Sequence, residues 1–209
     1  MPIIGLALVP TLLDWPVLLL PVHIVLLELL IDPACSIVFE AEPESTDIMT
    51  RPPRALTASP FNARNLGFAV LQGSGMAAIL LLGNWIFVAL GFNESERRVA
   101  VFAGLVLGLL LLILSNRDLS RSAIMGFAAP NPWIKRMFAA VTLLLVAIIA
   151  IPFLRSIMGF APMATAQLAA SLALVVGLGV WLESLRRAAA GLLVKQVNAA
   201  AWTHKRESR

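Results

Sequence analysis

Charge is the first thing this chain lacks. Only 13% of its 209 residues are Asp, Glu, Lys or Arg, against a hydrophobic share of 59% and a mean hydropathy of +0.88. Soluble domains carry about a quarter charged residues, so the scarcity excludes a water-soluble globule and predicts a polytopic membrane protein. Alternation of apolar and polar residues is missing too, which excludes barrel strands. Helices then remain as the way to satisfy every backbone group inside lipid, and the predicted fold is all-α, a membrane helix bundle. Cysteine is nearly absent: the single Cys35 can form no intramolecular disulfide, and its predicted role is packing. Neither Cys35 nor His23 falls at metal-ligand spacing. No basic segment precedes the first apolar run, so no signal peptide is predicted. A net charge of +4 and a pI near 10.2 do not point to nucleic acid, because the basic residues flank apolar runs, where they act as topology anchors.

What the chain does have is a series of apolar runs. Residues 2–13 are too short for the roughly 20 positions a full crossing needs, so they predict a partial first helix, closed by the turn Asp14-Trp15-Pro16. Five full spans follow, at about 17–38, 66–90, 99–114, 137–153 and 164–182. The third contains a cluster of small residues around Gly73 and Gly75, the fourth a Gly104–Gly108 pair, and the sixth a stripe of Ala169, Ala173 and Gly177. All three favour close helix contacts. Residues 1–185 form the predicted bundle and 186–209 a basic tail, either a short amphipathic helix on an anionic membrane surface or a solvated end. With alternating spans, thirteen basic residues fall on one side and three on the other, which predicts a cytoplasmic C-terminus. No internal repeat of the inverted-transporter type is evident.

The second span is the informative one. Glu28 and Asp32 lie four residues apart, on one face of a helix. Each ionised side chain at the centre of a membrane helix costs about 2.5–3.5 kcal/mol on insertion scales, so the unpaired couple would cost roughly 5–7 kcal/mol. A cation between them, protonation of one, or a counter-charge from a partner would relieve that cost. The milder reading is a hydrogen-bonded packing pair facing Gln72 or Asn84, the polar members of the third span. Pro33 follows Asp32, lacks an N–H and clashes with the carbonyl of Leu29, so the helix is predicted to break near Asp32-Pro33, with the Leu29 carbonyl free to act as a ligand. Pro21 should add a kink near one end, and His23 lies on roughly the opposite face, as an interface residue.

The run PVHIVLLELLIDPACS followed by FEAEPESTDIMTRPPR, about 35 residues, resembles the sixth transmembrane helix and following cytoplasmic loop of P-type cation-transporting ATPases, specifically bacterial members similar to calcium pumps. Beyond Arg54 the resemblance rests on span order. It implies that Asp32 matches the family's cation-binding acid and that Glu28 falls where calcium-pump relatives carry a polar ligand. It also implies that Asp47, Arg51, Pro52, Pro53 and Arg54 belong to the loop coupling the phosphorylation domain to the ion site. Ile31 departs from the family's hydroxyl residue, and the fourth span has no carboxylate, so the implied cation is calcium or another, protons included. P-type pumps are phosphorylated on an aspartate followed by Lys-Thr, whereas the four aspartates here precede Trp15, Pro33, Ile48 and Leu119. No glycine-rich phosphate loop occurs either, so no nucleotide site is predicted in this chain.

The expectation is therefore the membrane-embedded, cation-binding portion of a pump, not an enzyme by itself, in a bacterial inner membrane. Its predicted partners are the bilayer and a chain carrying the missing phosphorylation and nucleotide domains. The alternative is a truncated relic or a non-catalytic membrane anchor. A channel is a weaker reading, since one acidic pair on one helix supplies no ring of charges.

Overall fold

A computed structural model describes residues 1–40, 63–117 and 131–207, with side chains, other than those of Phe39, Arg64 and Arg117, as far as Ala189. The described residues form seven helices and no strand: α1 (Pro2–Leu12), α2 (Pro21–Glu40), α3 (Ala63–Ala89), α4 (Glu94–Arg117), α5 (Pro132–Ala150), α6 (Pro152–Ile157) and α7 (Thr165–Glu207). Five of these, α2, α3, α4, α5 and α7, are long and apolar enough to cross a membrane, and α1 is shorter, as the partial first run predicts. The loop residues Asp47, Arg51, Pro52, Pro53 and Arg54 lie outside the described residues.

The helix ends follow from local chemistry. Pro21 opens α2 at its first position, where its fixed φ and missing N–H suit a helix start, so it begins the helix instead of kinking one. At α4 the Asn93 Oδ1 accepts from the Glu96 N–H at 3.0 Å while Glu96 Oε2 accepts from the Asn93 N–H at 2.8 Å, a reciprocal capping box. That box starts α4 five residues before the apolar run predicted at Val99, and so draws Arg97 and Arg98 into its first turns. Asn131 caps α5, accepting from the Trp133 N–H at 3.0 Å with Pro132 next to it, which again starts the helix earlier than the predicted 137. Three helices close through a left-handed residue: Asp14 (φ 53°) after α1, Gly91 (φ 81°) after α3 and Gly159 (φ 61°) after α6. In each the next N–H reaches back five residues, as in Trp15 to Pro10 at 2.8 Å, Phe92 to Phe87 at 3.0 Å and Phe160 to Arg155 at 3.0 Å.

Packing centres on α4. In its span 78% of residues are buried, against 22–33% in the other four, because α2, α3, α5 and α7 all pack around it. Its principal partner is α7. Leu174 and Leu178 of α7, one turn apart, lie over Gly104 and Gly108: a Cβ on Gly104 would come within 3.1 Å of Leu174, and one on Gly108 within 2.5 Å of Leu178. Leu174 also covers Gly83 of α3, and Trp181 lays its ring on Gly75. The Gly104–Gly108 pair thus serves packing within one bundle, and Trp181 is a wedge between α7 and α3. The stripe Ala169, Ala173 and Gly177 does not make the close contact: Ala169 and Ala173 are exposed, and the buried face of α7 is Gln167, Ser171, Leu174, Leu178 and Leu182. Ser171 fixes that face polarly, donating to Gln167 O at 2.9 Å and within 3.3 Å of Ala100 O on α4. α7 continues helically through Arg186 and Arg187 to Glu207, so no break separates the bundle from the basic tail.

Candidate functional site

α2 has two distinct faces. His23, Leu27, Ala34 and Val38 are buried against the bundle, where Leu27 and Ala34 meet Val106, Leu109, Leu110 and Ile113 of α4 and Val141 of α5. The opposite face carries Val25, Glu28, Leu29, Asp32, Pro33 and Ser36, all exposed, with Leu29 at 70%. The two carboxylates therefore share a face, as the four-residue spacing dictates, and it is the face directed away from the other described helices that pack on α2. No group of three or more His, Cys, Asp or Glu able to hold a metal ion occurs among the described residues.

Pro33 does not interrupt the helix: α2 runs unbroken from Pro21 to Glu40 with Pro33 inside it. One missing hydrogen bond is tolerated because the turns on either side keep theirs and the ring points outward, off the packed face. The predicted break is thus absent from the helix assignment, while its chemical consequence stands. Pro33 has no N–H to give, so the Leu29 carbonyl lacks its usual donor four residues on, beside Glu28 and Asp32. A groove of about 290 Å³ between α2 and α5 flanks this face; Leu29, Pro33 and Ile37 line it from one side and Trp133 and Arg136 from the other. Arg136 stacks over the Trp133 ring at 5.0 Å.

Gln72 and Asn84 are not brought to the acidic pair. Both sit on α3, which packs against α1, α4 and α7, whereas α2 packs against α4 and α5. Each is buried, 3% exposed, and each leaves an atom without a partner, Gln72 Nε2 and Asn84 Oδ1. The packing-pair reading, with the carboxylates facing these amides, thus has no support in the geometry.

The residues that sequence reasoning undervalued lie at the end of the bundle formed by residues 13–20, 90–93 and 151–164. His23, fully buried, accepts the Leu20 N–H on Nδ1 at 3.1 Å, which leaves the proton on Nε2 to donate to Met158 O at 2.9 Å. Its ring stacks on Phe160 and tilts against Phe102, each at 4.9 Å. Arg98 donates from Nη1 to Gly159 O at 3.2 Å, from Nη2 to Val17 O at 3.1 Å, and pairs with Glu94. Together these two side chains tie the α1–α2 linker, the starts of α2 and α4, and the α6–α7 connection. The signal was present: Asn93-x-x-Glu96 is a capping box, and an arginine one turn after it is inside a helix, not in a loop.

Gly159 sits in that latch at φ 61°, and a Cβ there would lie 3.1 Å from Arg98 Nη1. Gly159→Ala should lose about 1–2 kcal/mol from backbone strain, with a further loss from pushing the guanidinium off its carbonyl, read as a lower thermal midpoint in detergent.

No curated protein matches the chain. A family model described as cation transporting ATPase, C-terminus, matches residues 16–188, from the α1–α2 linker to within α7, and so takes in the five long spans almost end to end. A chain of five membrane-length helices, matched over this extent, belongs to the family of C-terminal membrane regions of cation-transporting ATPases.

Proposed function

We propose that the chain is the cation-binding and translocation portion of a P-type pump, and that its α2 acidic face is one wall of an ion site closed by helices from another segment or chain. The observation that carries this reading is the outward exposure of Glu28 and Asp32 on a membrane-length helix. Facing lipid and ionised, the pair would cost roughly 5–7 kcal/mol; covered by a partner with a cation between them, they become ligands. Asp32 and Glu28 supply carboxylate oxygens and Leu29 its freed backbone carbonyl. Gln72 and Asn84, on another helix, are left out of this set. ATP hydrolysis then belongs to the chain or segment carrying the phosphorylated aspartate, and Asp47, Arg51, Pro52, Pro53 and Arg54 would meet it. On this reading the thirteen-residue basic side, with the C-terminus, is cytoplasmic in a bacterial inner membrane, and the Arg98 latch faces outward.

The test is to purify the tagged chain from its own membrane and reconstitute what comes with it. Recovery of a chain carrying an Asp-Lys-Thr phosphorylation site, with cation-stimulated transport abolished by Glu28→Gln plus Asp32→Asn, is the expected result. Unchanged transport in that double variant would overturn the site assignment. The anchor or relic reading has one observation on its side, the absence of a metal-holding cluster among the described residues. It predicts thermal unfolding indifferent to calcium, manganese, magnesium, potassium and pH, even in the assembled complex.

A further inference from the structure

Arg97 stands next to the latch but takes no part in it. The residue is 9% exposed, its Nε is buried without a partner, and no ion pair involves it among the described residues. The two carboxylates closest to it in sequence are engaged elsewhere on α4: Glu94 pairs with Arg98, and Glu96 Oε2 accepts the Asn93 N–H. The two terminal nitrogens of Arg97 reach a cavity with no carboxylate to pair with among the described residues, and a charge so placed calls for an anion. The geometry supplies room for one. Arg97 lines a cavity of about 420 Å³ with Asn84, Trp15, Pro16, Trp85 and Val88. Asn84 is 3% exposed; its Oδ1, like Arg97 Nε, is enclosed behind the cavity wall, so the groups that reach the cavity are the terminal nitrogens of Arg97 and the amide nitrogen of Asn84, all donors.

The position of the cavity narrows the ligand. Arg97 lies three residues inside the start of α4 and Asn84 five residues before the end of α3. That is about 5–8 Å in from the helix ends at 1.5 Å per residue, the depth at which headgroups give way to acyl chains. Trp15 and Trp85 are 36% and 59% exposed and Val88 50%, an indole-rich wall open to lipid of the kind that marks the membrane interface. A small soluble anion would satisfy Arg97 and leave this apolar wall unused.

We infer that the Arg97–Asn84 cavity binds a phospholipid headgroup: the phosphate accepts from the Arg97 guanidinium and from the Asn84 amide N–H, and the acyl chains leave past Trp85 and Val88. The site is independent of whether α2 binds a cation.

The full chain, delipidated in detergent, tests this by thermal unfolding and native mass spectrometry against added phosphatidylglycerol, phosphatidylethanolamine, phosphatidylcholine, diacylglycerol and inorganic phosphate. The expected result is stabilisation and retention of one lipid by all three phospholipids and none by diacylglycerol. Arg97→Gln should weaken the phospholipid effect at least about tenfold, the loss of a charge-assisted contact, without lowering lipid-free stability, because no protein partner is lost. Asn84→Leu should weaken it by less, since a neutral donor is lost and not the charge. Arg187→Gln, at an exposed site paired with Glu183, is the control and should change neither. Equal stabilisation by inorganic phosphate would replace the lipid by a free anion. Equal stabilisation by diacylglycerol, an unchanged phospholipid effect in Arg97→Gln, or a loss of lipid-free stability in that variant would overturn the proposal. So would a loss of lipid-free stability in Asp14→Asn, since Asp14, beside Trp15, would then be the counter-charge.

Discussion

Arg98→Ala should destabilise the bundle by about 3 kcal/mol, read as a marked fall in the thermal midpoint in detergent. The estimate rests on what the guanidinium holds. Its Nη1 and Nη2 serve Gly159 O and Val17 O, carbonyls separated by more than a hundred residues of chain, and truncation leaves both without their charged donor. Hydrogen bonds to a charged group are worth about 1.5–3 kcal/mol each, reduced here because Val17 is exposed and water can replace part of the loss. The pair with Glu94 matters less. That carboxylate is 49% exposed, and Glu94→Gln should cost no more than about 1 kcal/mol. Arg98→Lys separates the two contributions. It keeps the charge but offers a single nitrogen, which cannot reach carbonyls on two separate segments, so it should recover less than half of the loss. If Glu94→Gln matched Arg98→Ala, the ion pair and not the carbonyl bridge would be what holds this end together.

Gly75→Ala should be the second severe change, costing about 2–3 kcal/mol, whereas Gly104→Ala should stay near 1 kcal/mol. Both glycines lie in close helix contacts, and the difference lies in what each faces. A Cβ on Gly75 would fall inside the Trp181 indole, a flat rigid ring that can yield only by moving the whole side chain or the helix bearing it. A Cβ on Gly104 would meet Leu174 Cδ1 at 3.1 Å, which a rotamer change relieves, and Leu174 Cβ at 3.2 Å, which needs α7 to shift by only a few tenths of an ångström. Thermal midpoints of the two variants, compared with the double variant Gly75→Ala/Trp181→Ala, check the reasoning. Removing the ring should cancel most of the penalty for the added methyl group, as expected of two residues in direct contact.

These two sites also mark the border of what the sequence makes legible. The number of spans, the partial first helix and the acidic face of α2 follow from apolar run length and a four-residue spacing. The small cluster around Gly75 and the Gly104–Gly108 pair are legible as places of close approach. What sits on them is not: nothing local to Gly75 names Trp181, more than a hundred residues on. The stripe Ala169, Ala173 and Gly177 misleads for a related reason. In water a helix declares its buried side by hydrophobicity, but lipid is as apolar as a leucine, so Leu168, Leu172 and Val176 can face outward at no cost. Periodicity then says which residues share a face, not which face is turned inward. Arg97, Arg98 and His23 were obscured differently. Counted as charges at the edge of a span they look like anchors, and only the capping box at Asn93 places the arginines inside the helix. The unbroken course of α2 through Pro33 shows the same limit for backbone: a missing donor is certain from sequence, whereas the response of the helix depends on the turns around it.

The central place of α4 also bears on the order in which the bundle can be made. α4 emerges from the ribosome before α5, α6 and α7, yet its most extensive contact is with α7, which comes after two intervening helices. Until residues 165–182 are in the membrane, Gly104 and Gly108 lack Leu174 and Leu178 and have only Leu80 and Met76 of α3 on them, so the helix that ends up most enclosed must wait with the rest of its groove filled by lipid. Assembly is therefore completed from the carboxyl-terminal end, and a ribosome stalled before Thr165 would leave an open ring of helices without its closing member.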